Sequence, residues 1–589
     1  MKLDKVALKI TADVHTARQA AAVIEKKLAA LGVGVCDCAK TTITLALGDA
    51  PAQVQFAEQG YRIAVTADGV ELTGFGAQGV YYAAVSFVQL LGKEIPCCDI
   101  LDWPDMAFRG HVLESRLGSD LMEKEDWFAM IDDLAGQKIN HLQVNVYGCW
   151  LVQYDGGVSE YLYVPIDGYP ELKTPFHVKY YSPTKGEWVE GDKLPPMFEK
   201  NFFGELVAYG YERGVKVFPG FNSYGHNTLI PHTYPELSAK DEEGNPSYSG
   251  FCTSNPDVYK LLFAAYDQLI DKYMKPYGSD CIALQLDEVW AEVGQYAGDI
   301  FSKRSPWCKC PKCKDLNEGL LFVEHTVRLV KHLKEKGMKR VFICCDMLID
   351  HGPNGVGVLT EPLLAALKRE DVFDTVTITW WTYADLWEKL MFHTTQPEGN
   401  SSCLANYFML RDRLSYSFYS YVEEGKPYPR NFPGEAMEKV CARKEDHLRA
   451  MYAISGMAKE AKGIWETIAA DPACNQEQAR RYAYEADNYM VLVDDYLAML
   501  RMMELTEEGE YDEVKAMAEA RRDTRIALMA RLEQVKDGYQ QPWNLRNHSI
   551  FMQFFEDLRV YIENTPADKL DLNFFDMRHF ASERFMWLR

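Results

Sequence analysis

Asp287 and Glu288 stand side by side in the run C-I-A-L-Q-L-D-E-V-W. The residues leading into them, Cys281 to Leu286, include a single polar member, Gln285. A short apolar run that ends abruptly in acids reads as a buried parallel strand stopping at its C-terminal edge. In an α/β barrel that edge carries the chemistry. Two adjacent carboxylates there cost stability through mutual repulsion and desolvation, which points to a function. A solvated acidic loop is the plain alternative. Further along, Cys308, Cys310 and Cys313 form a C-x-C-x-x-C run flanked by Lys and Pro. Three thiols so spaced suit structural zinc, whose tetrahedral shell would take a fourth ligand from elsewhere. Its role would be to pin the loop after the acidic strand. Three free surface thiols are the alternative.

Only a repeated strand-and-helix unit brings such side chains to one edge. Between residues 105 and 470 an apolar strand, a polar or aromatic edge and a helical stretch recur. The strands read as F-R-G-H-V-L-E-S-R, I-N-H-L-Q-V-N-V-Y, V-K-V-F-P-G-F-N, C-I-A-L-Q-L-D-E, R-V-F-I-C-C-D-M and T-V-T-I-T-W-W-T-Y. A seventh falls near Leu404–Met409, and K-G-I-W-E-T is the eighth. Eight units suit an α/β fold of the (β/α)8 TIM barrel type over residues 105–472, in preference to a doubly wound sheet. Residues 1–104 alternate strand and helix patterns, with a hairpin around Asp68-Gly69, and predict a small N-terminal α+β domain. Residues 473–589 predict a C-terminal helical region. Gly148–Lys200, rich in Tyr, Pro and Gly, reads as a long loop over the barrel mouth.

Several strand ends carry groups that suit a sugar. Arg116 would offer a fork of donors to hydroxyls, or else a structural ion pair. Asn222 and His226 close the third strand, with a satisfied core histidine as the alternative for His226. Trp380, Trp381 and Tyr383 close the sixth strand, with barrel filling as the alternative for Trp380. Trp465 and Glu466 lie on the eighth. F-R-G-H-V-L-E-S-R, K-I-N-H-L-Q-V-N, P-G-F-N-S-Y-G-H, F-C-T-S-N-P-D-V-Y and L-D-E-V-W follow one another in an order and spacing that resemble the family-20 glycoside hydrolases, the β-N-acetylhexosaminidases. The resemblance covers roughly residues 1–470.

The resemblance implies an exo-acting, retaining glycosidase that hydrolyses terminal N-acetylhexosamine by substrate-assisted catalysis and needs no cofactor for the chemistry. The substrate's 2-acetamido oxygen attacks the anomeric carbon. Glu288 is then the acid/base, and Asp287 orients the acetamido group. Arg116, Asn222, His226, Trp380, Trp381, Tyr383 and Trp465 would line the sugar site. The sequence departs from the family where Ala283-Leu284-Gln285-Leu286 replaces His-x-Gly-Gly, where Glu114 replaces Asp and where Cys345 replaces Trp. Tyr407 and Tyr416 are both candidates for the tyrosine that binds the acetamido oxygen. A same-fold glycosidase for a sulfated, amino or non-acetamido sugar is one alternative. A non-catalytic carbohydrate-binding protein is another, against which the intact acid pair argues.

The chain of 589 residues exceeds one core, so several domains are expected. Its net charge of −23 disfavours nucleic acid and anionic membranes as partners and leaves an oligosaccharide or glycoconjugate. No stretch approaches a bilayer span, and the N-terminus lacks a signal-peptide core. Fifteen cysteines, many in apolar runs, fit a reducing cytoplasm. Trp543, Phe551, Phe554 and Phe555 are either core or a contact within a homo-oligomer, core being preferred.

Overall fold

The computed structural model describes residues 5–92, 94–113, 119–149, 160–224, 227–287, 289, 307–348, 360–379, 444–471, 474–534 and 541–570. The first 102 residues supply β1 (Lys5–Ile10), α1 (Ala17–Ala30), β2 (Gly34–Val35), β3 (Thr41–Leu47), β4 (Tyr61–Val65), β5 (Gly69–Gly74), α2 (Ala77–Leu90) and β6 (Cys98–Asp102). The strands pair in the order β2-β1-β3-β5-β4-β6. In β3 alternate residues Ile43 and Leu45 are fully buried, as a half-buried strand requires. The β4–β5 pair is the expected hairpin. Cys36 and Cys38, just after β2, are joined in a disulfide.

The chain then alternates strand and helix. It runs through β7 (Gly110–Leu113), α3 (Lys124–Gly136), β8 (His141–Asn145), an antiparallel pair β9 (Tyr147–Cys149) and β10 (Glu160–Leu162), and a hairpin β11 (Phe176–Ser182) and β12 (Glu187–Lys193). It continues through α4 (Phe203–Tyr211), β13 (Lys216–Gly220), a hairpin β14 (Ser238–Lys240) and β15 (Pro246–Phe251), α5 (Pro256–Gln268) and β16 (Cys281–Gln285). Next come α6 (Glu318–Glu335), β17 (Arg340–Cys344), α7 (Thr360–Arg369) and β18 (Val376–Thr379). Strands β7, β8, β13, β16, β17 and β18 pair side by side in chain order, all parallel. These are the first six strands of a (β/α)8 TIM barrel. The expected seventh, near Leu404–Met409, lies outside the described residues.

Aromatic rings fill the lower interior. Phe108 stacks on His141 with centroids 3.8 Å apart, and Phe218 on Phe342 at 5.4 Å. Above them Gln143 donates to Asn145 at 2.8 Å. Gly220 leaves room for that amide pair: a Cβ there would lie 2.3 Å from Asn145 Oδ1 and 2.9 Å from Gln143 Nε2.

Helices α8 (Lys444–Ala470), α9 (Gln476–Glu508), α10 (Tyr511–Gln534) and α11 (Gln541–Asn564) form the C-terminal helical region. K-G-I-W-E-T falls inside α8, so the expected eighth strand is not there. Six residues of mixed pattern fit a period of 2 or of 3.6. The flanking A-K-E-A and I-A-A, strong helix formers, decide for helix. Phe554 and Phe555 are fully buried, and Phe551 lies under the Arg525 guanidinium, 4.5 Å from its ring centroid. The stretch Gly148–Lys200 was expected as a loop over the barrel mouth. Its β11–β12 hairpin instead sets Tyr180, Tyr181 and Trp188 against Tyr484, Leu528, Met529, Leu532 and Leu545 of the helical region. No helix of the described residues is long and apolar enough to cross a membrane.

Candidate functional site

Strand β16 ends as the sequence suggests, with Asp287 two residues beyond Gln285. The turn between them is unusual. Gln285 and Leu286 both take left-handed backbone angles, φ 60° and φ 61°. Pairing with β17 shifts register between Ala283 and Gln285. A residue with a β-carbon resists this conformation by roughly 1–2 kcal/mol. The turn therefore persists because its surroundings fix it, as strained segments at functional sites do. Leu286 is fully buried and anchors the turn on one side. On the other, buried Val289 donates its N–H to Met347 Sδ at 3.2 Å. Asp287 lies between the two anchors with Oδ1 buried. Its neighbour Glu288 lies outside the described residues.

The end of β13 is stitched to this turn. Phe221 N–H donates to Ala283 O at 2.8 Å and Ser223 N–H to Leu284 O at 3.3 Å. Between them Asn222 is buried, and its Oδ1 meets no hydrogen-bond donor among the described residues. A buried acceptor in that state is costly unless a ligand meets it. The Asn222 carbonyl accepts from Asn227 Nδ2 at 2.7 Å, and Tyr147 Oη donates to Asn227 Oδ1 at 3.0 Å. Buried Glu160 braces the same turn, accepting from the N–H groups of Thr228 at 2.9 Å and Leu229 at 2.7 Å and from the Thr228 hydroxyl. Nothing in the short E-Y-L strand marks Glu160 as a brace; only the fold brings it there.

Behind the turn, His325 of α6 donates from Nε2 to the Ser223 carbonyl at 3.0 Å. Its Nδ1 accepts from the Tyr259 hydroxyl at 3.1 Å. Burial holds its pKa down at about 4, so this histidine is neutral and structural. Tyr224 packs between the His325 ring at 5.0 Å and Trp307 at 5.4 Å.

Of the other residues expected at the site, Arg116, His226, Trp380, Trp381 and Tyr383 lie outside the described residues, as do Tyr407 and Tyr416. Trp465 is corrected. It sits on α8, half-buried, with its ring 4.6 Å from that of Tyr482 on α9, and is packing between two helices rather than a strand-end platform. Glu466 on the same helix is exposed and within 3.7 Å of Lys462. Cys345 is fully buried.

The cysteine run gains a member that spacing did not reveal. Cys252, at the end of β15, joins Cys308, Cys310 and Cys313, with all four Sγ atoms within 4.8 Å of one another. Cys252 Sγ lies 3.8 Å from Cys310 Sγ and 4.0 Å from Cys313 Sγ. Cys252, Cys308 and Cys313 are buried, which removes the alternative of surface thiols. The Cys308 thiol is drawn down to about 5, chiefly by its hydrogen bond with Cys252, with backbone donors at Cys310 and Lys240 assisting. Cys252 is pushed up by the same bond and by burial.

Two family descriptions match the chain. Glycosyl hydrolase family 20, domain 2, matches residues 3–103, and Glycosyl hydrolase family 20, catalytic domain, matches residues 107–351. A beta-hexosaminidase of Akkermansia muciniphila is 26% identical over 271 residues, 43% of this chain and 48% of its own length. A beta-hexosaminidase of Porphyromonas gingivalis is 22% identical over 248 residues, 38% of this chain and 29% of its own. The chain thus matches less than half the length of either relative. Among solved structures, a beta-N-acetylhexosaminidase from Bacteroides fragilis overlaps with a TM-score of 0.44 at 19% identity, over 67% of this chain and 70% of its own.

Proposed function

The chain belongs to glycosyl hydrolase family 20, and from that premise we propose that it is an exo-acting, retaining glycosidase that removes terminal N-acetylhexosamine from an oligosaccharide or glycoconjugate. The observation that supports the reading is Asp287 just past the C-terminal end of β16, on a turn whose Ala283 and Leu284 carbonyls accept from Phe221 and Ser223 on either side of buried Asn222, with Glu288 next to it in sequence. Glu288 protonates the leaving oxygen and then activates water. Asp287 orients the substrate's acetamido group, whose carbonyl oxygen is the nucleophile. Such an internal nucleophile gains from proximity, roughly 7–11 kcal/mol in the best-oriented cases. The chemistry draws on side chains and on the substrate itself and calls for no cofactor.

A second reading keeps the barrel and changes the sugar. It is favoured by Gln285, whose Oε1 is buried and meets no donor among the described residues, standing where the family resemblance places glycine. A panel of aryl glycosides tests both, read with wild type and Glu288→Gln. The expected result is an N-acetyl-β-hexosaminide cleaved far faster than the plain glucoside, with a loss on the order of 10²–10⁴-fold in Glu288→Gln on poorly activated leaving groups. Equal rates on acetamido and plain sugars would overturn substrate assistance in favour of the second reading. A Glu288→Gln enzyme of undiminished rate would remove Glu288 from the mechanism.

A further inference from the structure

The four cysteines belong to two different loops of the barrel's C-terminal side. Cys252 ends the β14–β15 hairpin, which follows β13 and its Asn222. Cys308, Cys310 and Cys313 come from the connection that follows β16 and Asp287. We propose that Cys252, Cys308, Cys310 and Cys313 hold one zinc ion that fastens these two loops together beside the sugar site.

Geometry favours a metal over any sulfur–sulfur bond. A tetrahedral zinc with Zn–S near 2.3 Å has sulfur–sulfur edges of about 3.8 Å. The observed separations of 3.8 and 4.0 Å match that edge. They are nearly twice a disulfide length, about 2.05 Å. The donor set is complete: four thiolates close the shell and leave no position for water or substrate, so the ion is structural. Hard cations prefer oxygen, and nothing in this donor set offers it.

The surroundings suit a thiolate centre. Lys240 N–H donates to Cys308 Sγ at 3.3 Å, and Ser254 Oγ lies 3.1 Å from Cys313 Sγ. Lys309 N–H donates to Lys240 O at 2.6 Å, so the two loops are already in register at the backbone. Four thiolates around a divalent ion leave a net charge of −2, and Lys309, Lys312 and Lys314 border the cluster in sequence to offset it. Trp307, next to Cys308, packs on Tyr224, which follows Asn222 and Ser223 at the end of β13. The ion therefore holds a turn that touches the wall of the site without itself reaching substrate.

The test uses the full chain as purified, with elemental analysis and native mass spectrometry. About one zinc per chain is expected. Cys252→Ser and Cys310→Ser are expected to lose most of that zinc and to melt at lower temperature, because binding free energy at such a site is folding free energy. Cys97→Ser, an exposed cysteine outside the cluster, is the control expected to keep its zinc. Should a cluster variant fail to fold, wild type stripped with a chelator answers instead. Its melting temperature is expected to fall and to return on adding zinc, and added cobalt is expected to give the absorption of a tetrahedral thiolate site. A zinc-free chain with four alkylatable thiols, whose melting temperature ignores both chelator and added zinc, would overturn the proposal. So would an equivalent of iron in zinc's place.

Discussion

At the scale of the residue, Gln285 and Leu286 hold a conformation that glycine adopts freely and that a β-carbon resists. The two do not hold it on equal terms. Leu286 is fully buried, which offsets its strain by about 1.5–3 kcal/mol of apolar transfer. Gln285 has no such compensation, since its Oε1 is buried without a donor among the described residues. Gln285→Gly should therefore relieve strain and remove a stranded acceptor. Stability by urea denaturation is expected to be unchanged or to rise by up to about 1 kcal/mol, glycine's greater unfolded-state entropy limiting the gain. Leu286→Gly should lose about 2–4 kcal/mol, because the vacated volume lies in the core. If Gln285→Gly instead costs more than about 1 kcal/mol, the Gln285 amide is itself holding the turn.

At the scale of the element, α6 is coupled to the site through one neutral histidine. His325 has an ordinary value of 6.5 and is held at about 4, with burial the largest cause. Above 6.5 neither the folded nor the unfolded chain protonates it. Between 6.5 and about 4 only the unfolded chain takes up the proton, so stability falls as pH falls through that window. The loss is up to about 3 kcal/mol. Folding stability of His325→Gln, measured from pH 7 to pH 4, is expected to fall less steeply than that of wild type. A residual slope of the same sign should remain from His141, held at about 3 by burial and by Lys216 and Arg340, and from His548, held well below its ordinary value by burial and Arg525. Parallel profiles would show that His325 titrates normally. Elements were unevenly legible in the sequence. V-K-V-F-P-G-F and C-I-A-L had to be strands buried on both faces, because short apolar runs between polar edges have few other uses. K-G-I-W-E-T carried no such constraint. The left-handed turn was hidden by residues that rarely adopt it. Cys252 and Glu160 were hidden by distance along the chain: each finds its partners only through the parallel sheet.

At the scale of the whole molecule, the helical region is bound into the barrel rather than appended to it. Arg481 of α9 pairs with Asp133 of α3 at 2.8 Å. Glu533 of α10 accepts from Ser182 Oγ at 2.6 Å and from Thr184 N–H at 2.7 Å in the β11–β12 hairpin, while Tyr181 N–H reaches Ser549 Oγ of α11 at 2.8 Å. Inside the helices one buried carboxylate organises the rest. Asp495 of α9 is fully buried and pairs with Arg521 at 2.5 Å and with buried Arg525, both of α10. Arg525 also donates to His548 Nδ1 of α11 at 2.8 Å, and burial together with that cation keeps His548 neutral. Asp495→Ala would leave buried Arg525 without its carboxylate and Arg521 with only Asp494, 3.9 Å away, a change that costs about 3–5 kcal/mol when one partner of a buried pair is removed. For a chain of this size that corresponds to a fall in melting temperature on the order of 3 °C. Because the docking contacts couple helices to barrel, calorimetry is expected to show one transition moving as a whole, with the proposed glycosidase activity lost along the same curve. Two transitions, with only one displaced and activity following the other, would mean that the helical region folds independently of the barrel it covers.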